Sequence, residues 1–146
     1  MRKSYLILNL FLITSLIISC SNDDDNSNEL LEINDANLIG KWQLTAYTEN
    51  GNSITLDQCE SNNINEYFAD NTAEISYSYE NGSTPVACTE VSYMSLWELN
   101  GNIITYEAGD SPETILELTE TTLKIKYTDN EEGITYTYID TYTKVQ

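Results

Sequence analysis

Turn dipeptides between short alternating segments are the feature that most limits how this chain folds. Asn50-Gly51, Asn81-Gly82, Asn100-Gly101 and Glu132-Gly133 divide the chain after residue 38 into segments rich in Thr, Tyr, Ile and Val. Asn-Gly favours the two-residue turns that join antiparallel strands, and alternation of apolar and polar residues indicates a strand with one buried face. The sequence therefore predicts an all-β domain built from hairpins.

Eight segments have the length and alternation of strands. In the segment 122–128, Leu123, Ile125 and Tyr127 share one face, and the two residues between them are lysines. The predicted strands are 39–48, 64–69, 73–80, 90–99, 102–107, 113–118, 122–128 and 134–143, with a weaker candidate at 53–56. Hairpin-linked strands leave two unpaired edges unless the sheet closes, so we expect a small antiparallel up-and-down barrel of about eight strands. A two-layer sandwich is the alternative.

Residues 1–19 have the pattern of an export leader. Arg2 and Lys3 precede an apolar run of roughly a dozen residues, which is too short to span a hydrocarbon layer of ~30 Å. The run ends in Ile17-Ile18-Ser19-Cys20, which resembles the bacterial lipobox. This resemblance implies cleavage before Cys20, lipidation of its sulfur and a lipid anchor that holds the chain at a membrane. The alternative is an unmodified cysteine behind an ordinary signal peptide.

An acidic segment follows the lipobox cysteine. Ser21, Asp23, Asp24 and Asp25 resemble the export signal of surface lipoproteins in Bacteroidetes. The resemblance implies an outer-membrane lipoprotein exposed at the cell surface, whereas a chain without export would stay in the periplasmic leaflet. Such a composition also suits a solvated tether, and we assign residues 20–35 to a lipidated acidic tether. Three consecutive aspartates lack the alternate spacing and the glycine of a calcium loop, so we expect no metal and no cofactor.

The charge balance excludes one class of partner. The chain has 6 basic and 24 acidic residues and no histidine. Removal of the leader takes two of the basic residues and brings the net charge near −20, which repels nucleic acid and anionic lipid. We therefore expect no nucleic-acid partner. The residues 36–146 suffice for one domain with one core.

Two cysteines, Cys59 and Cys88, remain in the folded part. An exported protein lies in a compartment where disulfides persist. A bridge between them closes a loop of about 30 residues and stabilises the fold by about 3.6 kcal/mol in the chain-entropy model. The alternative is a reactive thiol, but the chain has no histidine to activate one. We predict a structural disulfide.

A series of motifs in the folded part resembles a known family. Gly40-Lys41-Trp42 stands at the start of the first strand, and the segment Tyr67–Thr72 is similar to a Phe-x-x-Asp-Gly-Thr turn. Cys59 lies between these two motifs, and the series continues after Thr72 with Cys88, Trp97-Glu98-Leu99, Leu116-Glu117-Leu118-Thr119 and Leu123-Lys124-Ile125. The order resembles the lipocalin-like domain of Bacteroidetes lipoproteins, and the resemblance covers about Leu38 to Lys144.

The resemblance implies roles for three residues at one end of the barrel. Gly40 lets the first strand begin tightly, and Trp42 plugs the closed end. Lys144, on the last strand, is the candidate to lie over the tryptophan, in place of the arginine usual in true lipocalins. The chain is also shorter than true lipocalins and shows no terminal helix, which argues against a large ligand chamber more than against the barrel.

Catalysis is not expected. Without histidine the chain cannot form a Ser-His-Asp or a Cys-His arrangement. Carboxylate pairs are available among the 24 acidic residues, but none stands in an aromatic and glycine-rich context that would single it out for glycoside hydrolysis. We therefore predict that the protein is not an enzyme.

Aromatic residues favour binding instead. A concavity lined by aromatic side chains with few polar groups is how small apolar ligands are held, although the same tyrosines also stabilise strands by cross-strand pairing. The candidate lining residues are Tyr77, Tyr79, Tyr93, Trp97, Tyr106, Tyr136 and Tyr138. We predict a membrane-anchored barrel that binds a small hydrophobic ligand at the cell envelope. The alternative is a barrel with a packed core that serves as an accessory module and binds a glycan or another envelope protein.

Overall fold

The computed structural model describes residues 29–82, 87–107 and 109–146. The leader, Cys20 and the acidic segment 21–25 lie outside these residues. The predictions of lipidation and export therefore stay predictions.

Strands make up most of the described chain. A single-turn helix α1 spans Asp35–Leu38, and a 3₁₀ turn spans Glu60–Asn62. The strands are β1 Gly40–Glu49, β2 Asn52–Ile54, β3 Ile64–Tyr67, β4 Thr72–Glu80, β5 Cys88–Asn100, β6 Ile103–Tyr106, β7 Glu113–Leu118, β8 Thr122–Glu131 and β9 Ile134–Val145. Each predicted strand is present, and the weaker candidate at 53–56 is the three-residue β2.

The sheet closes on itself. Neighbouring strands pair antiparallel from β3 through β9, and β1 pairs with β3 on one side and with β9 on the other. The short β2 forms a hairpin with the far end of β1 and lies outside the ring. The result is the predicted eight-stranded antiparallel barrel, and the sandwich alternative is wrong. Closure leaves no long unpaired edge between β1 and β9, where an open sheet would end.

Two bulges adjust which side chains face the interior. The register shifts between Leu44 and Ala46 in β1 and between Ile115 and Glu117 in β7. A bulge inserts one extra residue and so reverses the inward and outward alternation beyond it. Leu118 is buried for this reason although a strict period of two from Ile115 would place it outside.

The two ends of the barrel differ. At one end, which we call the closed end, α1 lies across the opening and the chain turns between β7 and β8, where Lys144 N donates to Thr121 O over 2.9 Å. The opposite end, which we call the mouth, carries the β1–β2 and β8–β9 turns, where Asn50 N donates to Thr137 O over 2.8 Å. Asn50 and Glu132 both have positive φ, as the first residue of a tight hairpin turn requires.

A disulfide fastens the long connection between β2 and β3 at the mouth. Cys59 is fully buried and is bonded to Cys88 at the start of β5, which confirms the predicted bridge. The connection is also held by side chains, because Asp57 Oδ1 accepts from the backbone N–H groups of Cys59 and Glu60 over 2.7 Å each. The 3₁₀ turn packs against β1 and β4.

The folded part begins before residue 36, where the sequence placed its boundary. Leu31 N donates to Leu118 O over 2.7 Å, and Leu31 and Ile33 pack against the core. Their alternation with polar residues lets a short extended segment bury two apolar side chains against the closed end. Within the described residues no helix has the length and apolar character to cross a membrane.

Candidate ligand cavity

The closed half of the barrel interior is filled by side chains. The core here includes four side chains that are at most 1% exposed, namely Leu38, Trp42, Tyr67 and Leu123. They belong to one continuous hydrophobic cluster. Tyr67 and Trp97 pack edge to face with ring centroids 5.4 Å apart. No room for a ligand is left between these rings.

Gly40, Trp42 and Lys144 lie together at the closed end. The Trp42 indole N–H donates to Leu38 O over 2.8 Å, and Lys144 Nζ lies 4.8 Å from the centroid of the Trp42 ring, within reach of a cation–π contact. Gly40 has a φ of +133°, and a Cβ there would stand 2.7 Å from Lys144 Cε. Glycine therefore permits both the backbone conformation and the passage of the lysine.

The mouth half of the barrel contains a cavity of about 260 Å³. Its wall combines aromatic rings with carboxylates from β5, β6, β7, β8 and the β6–β7 connection. The residues that define its chemistry are Tyr93, Tyr106, Asp110, Glu113, Tyr127 and Asp129. Among the described residues we take this cavity as our candidate functional site.

A chain of hydroxyl groups links the packed core to the cavity. Tyr106 Oη donates to Glu113 Oε2 over 2.8 Å, so the contact of 2.7 Å between the Tyr67 and Tyr106 hydroxyls has Tyr67 as its donor. Burial raises the pKa of Glu113 to about 7, against the opposing effect of the hydrogen bond from Tyr106. Burial also raises the pKa of Tyr67 and of Tyr106 well above the usual value. The tyrosines are therefore neutral donors, and Glu113 titrates near neutrality.

A second carboxylate lies behind the cavity wall. Asp140, on β9, is only 8% exposed and accepts a hydrogen bond from Tyr142 Oη over 3.2 Å. Burial raises the pKa of Asp140 to about 6, and hydrogen bonds from Tyr142 and Tyr127 oppose that rise. Asp140 pairs with Ile125 of β8, two residues from the lining residue Tyr127. Burial, and then the charge of Asp140, raise the pKa of Tyr127.

The rim of the cavity is also acidic. Tyr93 Oη donates to Asp110 Oδ2 over 2.9 Å and thereby joins β5 to the β6–β7 connection. The pKa of Tyr93 is raised, first by burial and then by this bond. No lysine or arginine belongs to the cavity wall in the described part of the chain. Lys41 and Lys124 form ion pairs with Glu66 and Glu117 outside the barrel.

The structure separates the seven aromatic residues that the sequence proposed as lining. Tyr93 and Tyr106 line the cavity. Trp97 does not, because it packs on Tyr67 and its indole N–H donates to Thr72 O over 2.9 Å. The remaining four are Tyr77 and Tyr79, which are 43% and 48% exposed, and Tyr136 and Tyr138, which stack with a centroid distance of 6.4 Å. None of these four belongs to the cavity lining, although Tyr138 stacks on the lining residue Tyr127 with a centroid distance of 5.2 Å.

Sequence reasoning missed Glu113, Tyr127 and Asp140. The alternation of β9 contained a signal for Asp140, because it occupies the inward row between Tyr138 and Tyr142. Tyr127 likewise shares a face with Leu123 and Ile125. Chemically, the site can accept hydrogen bonds at its carboxylates and present aromatic faces to a ligand. Among the described residues no group of three potential ligands is placed to hold a metal ion.

Comparison with sequence families gives one match. A sequence model described as a lipocalin-like domain matches residues 38–125, more than half of the chain. The match includes β1 to β7 and the plug tryptophan Trp42. No curated relative matches the sequence.

Solved structures with the same architecture are distant in sequence. The bovine lipocalin allergen Bos d 2 aligns with a TM-score of 0.54 at 13% identity, over 77% of this chain and 76% of that chain. Bovine odorant-binding protein with a selenium-containing odorant aligns with a TM-score of 0.51 at 15% identity, over 81% and 76%. The same protein with undecanal aligns with a TM-score of 0.50 at 16% identity, over 81% and 77%. At such identities the likeness shows the fold alone.

Proposed function

The chain belongs to the lipocalin-like domain family, and on this basis we propose that it is an envelope lipoprotein that holds a small organic molecule in its mouth cavity. The observation that carries the proposal is the division of the interior. Side chains fill the closed half, while about 260 Å³ remains open among aromatic rings at the mouth. A barrel needs side chains to fill its interior unless the space is kept for a ligand.

The size and the lining limit the ligand. The cavity lies just below the roughly 300 Å³ at which drug-sized sites begin, so the ligand is small. Tyr93, Tyr106 and Tyr127 provide ring faces for its apolar body. Undecanal, which the bovine odorant-binding protein holds, has a long apolar body, and we propose a small ligand with an apolar body here.

Native mass spectrometry tests the ligand proposal. The full chain is purified from membranes in a non-ionic detergent, incubated with an extract of its own cells, and compared with its denatured mass. We expect an extra mass that disappears on denaturation. Ile75→Trp should abolish it, because Ile75 lines the cavity and the larger side chain fills it. Leu116→Trp is the control, since Leu116 is 47% exposed on the outer face. If the wild-type chain carries no extra mass, the proposal fails.

The proposed anchor rests on the leader and on Cys20. Two or three acyl chains hold a protein at a membrane far longer than one, so the folded part needs no membrane-binding surface. A Cys20→Ala chain should leave the membrane fraction, and its persistence there would contradict the anchor. The export signal is tested separately, by protease treatment of intact cells. Asn in place of Asp23, Asp24 and Asp25 should protect the domain from the protease if these residues direct it to the surface.

A second function has one observation in its favour. Met94 and Leu96 are 58% and 50% exposed and share the outer face of β5, where they form a small apolar patch. An accessory module with a protein or glycan partner would use such a patch and would need no internal ligand. Met94→Gln with Leu96→Gln would then remove the partner, whereas ligand capture by the cavity should not change.

A further inference from the structure

The chemistry of the cavity wall says more about the ligand than the fold does. Resting on the function proposed above, we propose that the ligand carries a positively charged nitrogen group, a protonated amine or an amidinium, on an aromatic or apolar body.

The first step is the balance of charge. Asp110, Glu113 and Asp129 belong to the wall, and Asp140 lies directly behind it. In the described part of the chain no basic side chain faces these four carboxylates. The whole chain is also acidic, with a formal net charge of −18. The cavity and its mouth therefore attract cations and repel anions.

The second step is hydrogen bonding. Glu113 accepts a hydrogen bond from the Tyr106 hydroxyl, and Asp110 accepts one from the Tyr93 hydroxyl. Asp129 accepts one from the backbone N–H of Asn130. An ionised carboxylate has about four acceptor positions, so one hydroxyl leaves capacity for a ligand donor. A charged N–H donor forms a shorter and stronger bond to a carboxylate than a neutral donor does. An ammonium group thus supplies what the wall lacks.

The third step is the contribution of the rings. Tyr93, Tyr106 and Tyr127 surround the carboxylates, and aromatic faces attract a cation that lies over them. A purely apolar ligand would gain the ring contacts but would strip water from the carboxylates without replacing it, which is unfavourable. A metal ion does not fit, because no three ligating groups converge among the described residues. An organic cation satisfies both parts of the wall.

The test compares three probes with nearly the same shape. 2-Phenylethylammonium, neutral 2-phenylethanol and anionic phenylacetate are titrated into the full chain in non-ionic detergent by isothermal calorimetry at pH 8.5. At this pH the Glu113 carboxyl is ionised, since its pKa is about 7, and an alkylamine with a pKa of ~10.4 stays protonated. We expect the ammonium to bind about tenfold tighter than the alcohol, and the anion not to bind.

Variants connect the preference to the wall. Glu113→Gln keeps the size of the side chain but removes its charge, and it should reduce the preference for the ammonium to about threefold or less. Asp110→Asn gives a second reading at the rim. Glu117→Gln is the matched control, because Glu117 lies on the same strand but pairs with Lys124 outside the barrel. This control removes the same charge and should leave the preference unchanged.

The outcomes separate the two proposals. Equal affinity for the ammonium and the alcohol would overturn the charged ligand and leave the cavity as a binding site. Tighter binding of the anion would do the same. If none of the probes binds, the molecule captured from the cell extract decides: a neutral or anionic molecule overturns this inference alone. Capture of nothing overturns the proposed function, and the charged ligand falls with it.

Discussion

Replacement of Glu113 by Gln should stabilise the domain in alkaline solution. Burial opposes the ionisation of the Glu113 carboxyl and raises its pKa from 4.5 to about 7. A folded-state pKa above the unfolded value means that the native state holds its proton more tightly. The contribution of Glu113 to stability is therefore largest below pH 4.5 and is lost as the pH rises through 7.

The size of this loss follows from the shift. A difference of 2.5 pH units corresponds to about 3 kcal/mol between the stability contribution at low pH and that at pH 8.5. Gln remains neutral at every pH. Its side-chain oxygen can still accept the hydrogen bond that the Tyr106 hydroxyl donates to Glu113 over 2.8 Å in the wild type. Glu113→Gln should thus be more stable than the wild type by up to about 3 kcal/mol at pH 8.5, and nearly equal to it at pH 4.

Urea unfolding of residues 29–146, followed by the fluorescence of Trp42 and Trp97, measures the effect at pH 4, 5.5, 7 and 8.5. Both chains should retain a pH dependence from Asp140, whose pKa is also raised, to about 6. Glu117→Gln is again the control, and removal of its exposed ion pair should cost less than about 1 kcal/mol with no change in the pH profile. A Glu113→Gln profile that runs parallel to the wild-type profile, or lies below it at pH 8.5, would refute a buried titrating carboxyl.

Three further changes act on stability. Trp42→Ala should lower the free energy of unfolding by about 3–5 kcal/mol, because it empties the closed end; a loss below 1 kcal/mol in urea unfolding would contradict the plug. Reduction of the Cys59–Cys88 bridge should cost about 3.6 kcal/mol in the chain-entropy model, and an unchanged urea midpoint after reduction would show that the bridge constrains nothing. Gly40→Ala should cost about 1–3 kcal/mol, since it strains the backbone and displaces Lys144; equal thermal midpoints would argue against both effects.

The strands were predictable because each is specified locally. In β8 the alternation of Leu123, Ile125 and Tyr127 with lysines fixes both the strand and its inward face. Asn-Gly or a similar pair ends the segment, so the pairing partner is its neighbour in sequence. Closure needs only that the first strand meets the last one, and alternating strands with short hairpins favour this solution over an open sheet.

The cavity was less predictable because its position along the barrel axis depends on how all the strands are staggered, and no single segment of sequence determines that. Trp97 and Tyr93 are both inward residues of β5, but only Tyr93 stands high enough to reach open space, and strand stagger decides this. Polar residues add a second ambiguity. Glu113 alternates like an exposed residue, and a barrel mouth and a barrel exterior are both wet, so the pattern alone does not separate them. Asp140 shows that an acidic residue within an inward row of aromatic residues indicates a buried carboxylate in the barrel interior.

The chain enters the barrel at the closed end, and this determines where the proposed tether would leave the domain. Leu31 already contacts Leu118 at that end, so the segment between Cys20 and the barrel is only 21–30. Fully extended, such a segment reaches about 35 Å, close to the height of a ten-residue strand such as β1. If Cys20 is lipidated as proposed, the tether would therefore leave the domain at the end opposite the mouth. An attachment at that end would not obstruct the mouth, so a ligand could reach the cavity without passing the tether.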